Sequence, residues 1–176
     1  MFFWDSTFIL VIIGAMIAGW AQMKVSSTFN RYSQVRSEAG VPAWQVARNI
    51  LDTNGLSDVA IERISGNLTD HYDPRSKVLR LSQTVYDSPS VAAIGVAAHE
   101  VGHAIQHDTG YMPLEMRNTL VPIANIGSSL SWVLIILGLL VAPGLLKVGC
   151  IAFSMIVLFQ LVTLPVEFDA SKRAKE

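Results

Sequence analysis

Residues 99–103 read His-Glu-Val-Gly-His and lie in an apolar, helix-like run, Val91-Ala-Ala-Ile-Gly-Val-Ala-Ala-His-Glu-Val-Gly-His-Ala-Ile-Gln-His107. Two histidines four apart on a helix stand one turn above each other on one face, so their imidazoles can reach a single Zn²⁺. Glu100 projects from the neighbouring stripe, too far round to be an equivalent ligand but suited to take a proton from an activated water. A buried helix carrying two merely hydrogen-bonded histidines is the rival reading. It fares poorly, because residues 91–105 are otherwise Ala, Val, Ile and Gly, and a polar group left unpaired in such surroundings is costly.

Two histidines leave a catalytic zinc one protein ligand short, since such sites use three plus a water. His107 lies about 6 Å further along the axis than His103 and about 12 Å beyond His99. All three cannot converge from a straight helix. Patterns that use a third nearby His place it six residues after the second, with a glycine to turn the chain; here the stretch 104–109 reads Ala-Ile-Gln-His-Asp-Thr. His107 therefore reads as a helix-end residue favoured by the dipole. Asp108 and Glu115 are close in sequence, but neither sits on a second helix facing the first.

The elements that must complete the site are apolar. The chain is 51% hydrophobic and 15% charged, with mean hydropathy +0.42, which is high for a soluble domain. No charge occurs within 6–23 or 118–146, and after Lys147 none occurs within 148–166. A helix needs about 20 apolar residues to cross the hydrocarbon core. The first block reads as one transmembrane helix at 6–23, a retained anchor rather than a signal peptide because no basic segment precedes it. The other two read as a transmembrane hairpin at 118–166, broken at Ala142-Pro143-Gly144 and Lys147. Nine of the 13 Lys and Arg fall within 24–117 and three in the last six residues. By the positive-inside rule, 24–117 and the C-terminus are cytoplasmic. A hairpin that goes out and returns brings Glu167 and Asp169, in Leu164-Pro-Val-Glu-Phe-Asp-Ala-Ser171, back to the side of His99. Both acids stay open as third ligand, and both could instead be interfacial acids of a helix after Pro165.

Within 24–117, residues 24–40 read as a helix near the membrane surface, with Phe29, Tyr32 and Val35 at helical spacing. Pro42 to Asp52 reads as a helix with Pro at its first turn and Asn54-Gly55 beyond its end. Residues 59–64 and 77–82 read as strands, the second approached through an Asp73-Pro74 turn. Ser88-Pro89 would supply the cap and first turn of the motif helix, at about 89–108 and stopping at Gly110. The strand residues Val78, Leu79, Arg80 and Leu81, just upstream of that helix, are candidates to take a substrate peptide as an added strand. His71 or Tyr72, in the preceding loop, could steady an oxyanion. The single Cys150 excludes a disulfide within the chain. Net charge of −1 and the lack of a basic stripe speak against a nucleic-acid partner.

Ala98-His-Glu-Val-Gly-His-Ala-Ile-Gln-His107, Leu68-Thr-Asp-His-Tyr-Asp-Pro74 and Leu164-Pro-Val-Glu-Phe-Asp-Ala-Ser171 together closely resemble the YugP-type bacterial membrane zinc metallopeptidases, also called neutral zinc metallopeptidases. The resemblance covers essentially the whole chain. It implies a multi-pass bacterial membrane protein with a gluzincin-like site, His99 and His103 as zinc ligands and Glu100 as base. In the related HtpX and CAAX-protease families a Glu on a later helix is the third ligand, a role that carries over to Glu167. Those families place an Asp four residues after it to orient a ligand His; here that position is Ser171, with Asp169 the alternative for orienting or ligating. Members of the family continue into a further hydrophobic segment, so the end at Glu176 implies a truncated chain.

The expected fold is thus a mainly α membrane protein. It has three transmembrane helices and a cytoplasmic α+β zincin-like region at 24–117 with a small sheet; 167–176 begins the third-ligand helix. The expected activity is zinc-dependent hydrolysis of peptide bonds in a membrane-associated polypeptide substrate at the cytoplasmic face of the bilayer. The alternative is a catalytically silent membrane adaptor or chaperone with a structural or vestigial zinc. Structural sites usually have four protein ligands, often Cys, and the one Cys here lies in a span. A transporter would call for polar residues in the spans, which hold only scattered Ser, Thr, Gln160 and Asn125.

Overall fold

The computed structural model describes residues 7–175. Six helices and three strands follow in the order α1 (Thr7–Ser33), α2 (Ala43–Thr53), β1 (Ala60–Ile64), β2 (His71–Asp73), β3 (Val78–Ser82), α3 (Gln83–Tyr86), α4 (Val91–Asp108), α5 (Met112–Leu140) and α6 (Pro143–Arg173). The chain is mainly helical with one small mixed sheet, as its composition and patterning predict. Two helices, α5 and α6, are long and apolar enough to cross a membrane. The span expected at 6–23 begins outside the described residues; from Thr7 onward it is the first part of α1, which runs without a break into the polar segment after Lys24.

The body is built on α4, whose small residues let neighbours approach on two sides. One stripe, Ala93, Ala97, Val101 and Ala104, is fully or almost fully buried against Ala43, Ala47 and Leu51 of α2 and against Leu79, Leu81 and Val85. Three- and four-residue spacing places such residues on one face. Arg48 of α2 ties this layer to the loop before β1, donating to the carbonyls of Val59 at 2.6 Å and Leu56 at 2.9 Å. The motif helix is capped two residues later than expected. Ser90, not Ser88, accepts from the Ala93 N–H at 3.2 Å, while the carbonyls of Ser88 and Pro89 accept from Ala43 and Ser37. That stretch is used as backbone glue between α2, the segment between α1 and α2, and α4, so the helix cannot start there.

The sheet order is β1-β3-β2, with β1 parallel and β2 antiparallel to β3. The expectation that Val78, Leu79, Arg80 and Leu81 offer an edge to a substrate is therefore corrected: β3 is the central strand, hydrogen-bonded on both sides. Its burial on both faces is what a central strand requires. The strand that occupies the expected free edge is β2, only three residues long and too short for its periodicity to show. It joins β3 through the Asp73-Pro74 turn, in which Asp73 accepts from the Arg75 N–H and the Ser76 hydroxyl. Those bonds and Arg80 hold the Asp73 carboxyl well below the usual carboxylate range.

The hairpin turns at Val141 and Ala142, with Pro143 as the first residue of α6 and Lys147 inside it. Gly138 and Gly149 set its closeness: a Cβ on Gly138 would collide with Leu146, and one on Gly149 would lie 2.8 Å from Ile135. Gly138 and Gly149 thus pack within one chain, while Gly127 has no neighbour within 4 Å of its Cβ position. Pro165 sits inside α6 without ending it, so Glu167 and Asp169 lie on the same continuous helix as the apolar block. Replacing the fully buried Leu81 with Ala is expected to destabilise the body by about 2–5 kcal/mol, read as a lower midpoint in urea unfolding of the protein in detergent micelles.

Candidate metal centre

His99, His103 and Glu167 come together with one potential ligand atom from each within 4.8 Å of the others. The two imidazoles meet edge to face, centroids 4.8 Å apart at 80°. Both turn Nε2 toward the same oxygen, Glu167 Oε2, at 3.1 Å from His99 and 3.7 Å from His103. Two neutral imidazoles and a carboxylate form a donor set that suits zinc. The residues therefore fit the ion, provided each Nε2 carries a lone pair rather than a proton.

The surrounding bonds supply that condition for His103. The amide nitrogen of the buried Gln106 donates to the Val166 carbonyl at 2.9 Å and to Asp169 Oδ2 at 2.8 Å. With both amide hydrogens used on acceptors, its oxygen faces His103 Nδ1 at 2.9 Å, and only a protonated Nδ1 can donate to it. Nε2 of the neutral ring is then the free ligand atom. Asp169 is in turn fixed by Arg173 Nε at 2.6 Å. Asp169 thus acts on the site through Gln106 and is not among the converging donors. His99 is held from the other helix: Ser171 Oγ lies 3.1 Å from its Nδ1, one turn beyond Glu167. The serine thereby stands at the position, four residues after Glu167, for which the resemblance implies an orienting Asp.

What lets α6 deliver these groups is Gly102, inside the motif itself. A Cβ there would run into the backbone carbonyl of Ala170, and Val166 and Ala170 are fully buried beside it. Glu167 and Ser171 follow Val166 and Ala170 by one residue each, which puts them over His99 once the helices touch.

Glu100 is oriented by the sheet. In an antiparallel pair alternate N–H groups point away from the partner strand, and the outward N–H of Tyr72 donates to Glu100 Oε2 at 3.2 Å. Burial pushes the Glu100 carboxyl above its ordinary range, against the opposing pull of His103 and His99. Burial disfavours a charged His103, but its bonds to Glu167 and Gln106 and the nearby carboxylates outweigh this and raise its affinity for a proton.

A cavity of about 170 Å³ joins these groups and is bordered by Asp70, His71, Arg117 and Asn118 among others. His71 lines it, with Nδ1 bonded to the Thr69 carbonyl at 2.9 Å. The Tyr72 phenol points elsewhere, to His107 Nδ1 at 3.0 Å, and burial pushes its pKa up to about 12. His107 is accordingly held by Tyr72 and is not in the His99–His103–Glu167 group, as helix geometry predicts. Sequence reasoning missed two neighbours. Gln106 carries no motif signal of its own. Arg117, counted only as a membrane-flanking charge, stands 3.6 Å from Glu167 Oε1.

Two substitutions separate ligand identity from ligand support. Gln106→Leu removes the acceptor on His103 Nδ1 and should weaken zinc binding by about 10- to 100-fold with all three donors intact, measured by competition with a chromogenic chelator. Gly102→Val should force α4 and α6 apart and lower zinc affinity roughly tenfold or more, while far-ultraviolet dichroism keeps its helical signal.

The chain is 48% identical over 171 residues to the "Putative membrane protease YugP" of Bacillus subtilis (strain 168), a match covering 96% of this chain and 76% of that protein. No solved structure matches the chain. A family model described as "Putative neutral zinc metallopeptidase" matches residues 7–176, and the chain belongs to that family.

Proposed function

We propose that this protein is a membrane-embedded zinc metallopeptidase that hydrolyses peptide bonds at the cytoplasmic face of a bacterial membrane. The observation that carries the reading is the convergence of His99, His103 and Glu167 with Glu100 held beside them by the Tyr72 N–H. Three converging donors, among the described residues, match an open catalytic site better than a closed structural one. That favours the enzyme over the adaptor reading.

His99, His103 and Glu167 would hold the ion. Zinc in such a site supplies Lewis acidity, making water acidic near neutral pH and a carbonyl electrophilic. Glu100 accepts the proton of the attacking water and returns it to the leaving amine. Its raised proton affinity brings it closer to working pH, and the Tyr72 N–H keeps one oxygen fixed while the other is free to receive. Arg117 keeps a permanent positive charge beside Glu167 and the cavity. His71 borders the same space; with Nδ1 donating to Thr69, its Nε2 can donate to an oxyanion only as the imidazolium.

In this reading α1 is a third span, 24–117 lies outside the bilayer, and α5 and α6 cross it. Large apolar side chains such as Ile123, Ile126, Trp132, Ile151 and Phe153 stand exposed along that pair, a surface that a lipid environment covers. Glu100→Gln is expected to retain one zinc per chain and to lose hydrolysis of membrane-protein substrates, while His103→Ala loses the zinc. Undiminished proteolysis by purified Glu100→Gln protein would sink the assignment.

A further inference from the structure

Between α1 and α4 lies a groove of about 570 Å³ whose inner end is His99 and Glu100. We propose that it seats a large apolar side chain of the substrate, next to the bond presented to the metal site, and that Gly95 sets its depth. This rests on the peptidase reading and names its substrate class: an apolar segment of a membrane-anchored polypeptide.

Three observations carry it. The walls are Val25, Phe29 and Tyr32 of α1, Leu68, and Val91 and Val96 of α4. Among the described residues that line it, the charged groups are Lys24, where α1 leaves its uncharged stretch, and Glu100 at the metal end. An apolar lining selects apolar side chains, because a polar one would lose its water without gaining a partner.

The second observation is Gly95 itself. It lies one turn before His99 on the same face of α4, and Val91, Gly95 and His99 form a strip running along the groove to the site. A Cβ on Gly95 would have no heavy atom within 4 Å. Gly102 is required by the packing of α6, but nothing among the described residues requires a glycine at 95. A glycine inside a helix is unfavourable, and here it leaves the groove open one turn before His99.

The third is continuity with the bilayer face. On α1 the exposed side chains before the groove are Ile17, Trp20 and Met23, and the groove opens at the next residue. From Lys24 to Tyr32 it spans about 12 Å of helix, the length of roughly four residues of extended chain. A segment leaving the membrane beside α1 would enter at Lys24 and reach His99 and Glu100 with a backbone carbonyl. A lipid acyl chain would fit the walls but would bring no amide to the groove's inner end.

The test uses the full chain, zinc-loaded and in detergent micelles, as the Glu100→Gln protein and with Gly95→Ala or Gly95→Leu added. The probe is a synthetic peptide of four leucines with a central benzoylphenylalanine, flanked by serines. Irradiation should label the 24–32 segment of the Glu100→Gln protein. Gly95→Leu should cut that labelling by about tenfold or more, Gly95→Ala should leave most of it, and zinc content should stay equal in all three. In parallel, Gly95→Leu in the otherwise native chain should lower kcat/KM for leucine-containing peptides far more than for alanine-containing ones. Labelling indifferent to Gly95→Leu overturns the proposal. So does a benzophenone fatty acid that labels 24–32 and is not displaced by excess peptide. If Gly95-dependent labelling persists but no peptide is ever cleaved by the native chain, the groove stands and the peptidase reading falls.

Discussion

The constraint on which the site depends is the contact between Gly102 and the Ala170 carbonyl. Everything chemical depends on it. Two histidines on one helix define only half of a zinc site. The other half arrives on α6, with Glu167 64 residues after His103, and the approach of α6 is limited by whatever side chain stands at position 102. With glycine there, the backbones touch, and Glu167 reaches the histidines while Ser171 reaches His99. The middle of the His-Glu-Val-Gly-His segment is therefore not spacer: Val101 is fully buried in the body and Gly102 admits α6.

A second dependence follows from burial. His103 and Gln106 are enclosed between α4 and α6, where each polar hydrogen needs an acceptor. The chain Arg173–Asp169–Gln106–His103 satisfies them in sequence and, in doing so, leaves one nitrogen of His103 available. The bonds that stabilise the helix contact thus also select the tautomer that can bind a metal. On the other side of α4, the small-residue stripe packs on α2, and β2 aims its spare N–H at Glu100. One helix is gripped by the layer of α2 and the sheet on one side and by the α5–α6 hairpin on the other, with the reactive groups on the seam.

How far this was legible from residues alone differs by element. The motif helix and the long apolar hairpin have strong periodicity or length, and both appear close to where they were expected. The exclusion of His107 followed from helical rise and agrees with its bond to Tyr72. The cap position was displaced by two residues because Ser88 and Pro89 are held by α2 and by the segment between α1 and α2, contacts remote in sequence. β2 escaped notice because three residues carry no readable alternation, and missing it led to the wrong strand being assigned a free edge. The choice between Glu167 and Asp169 could not be made by counting: the two lie on one helix, two residues and hence about 200° apart, and only the direction of approach of α6 decides which faces the histidines.

By itself, the sequence determined the kind of chemistry, because two histidines four apart with a glutamate between them have few other uses in an apolar helix. It also marked both arms of the hairpin as long and apolar enough to cross a membrane. Tertiary structure alone decided that Glu167 Oε2 faces both histidines, the groups that orient each imidazole, the partner of Glu100 and the groove that leads to it. The physical reason is common to all four. Each depends on a distance between elements far apart in the chain, set by how small the residues at their contact are, and no local pattern encodes that distance.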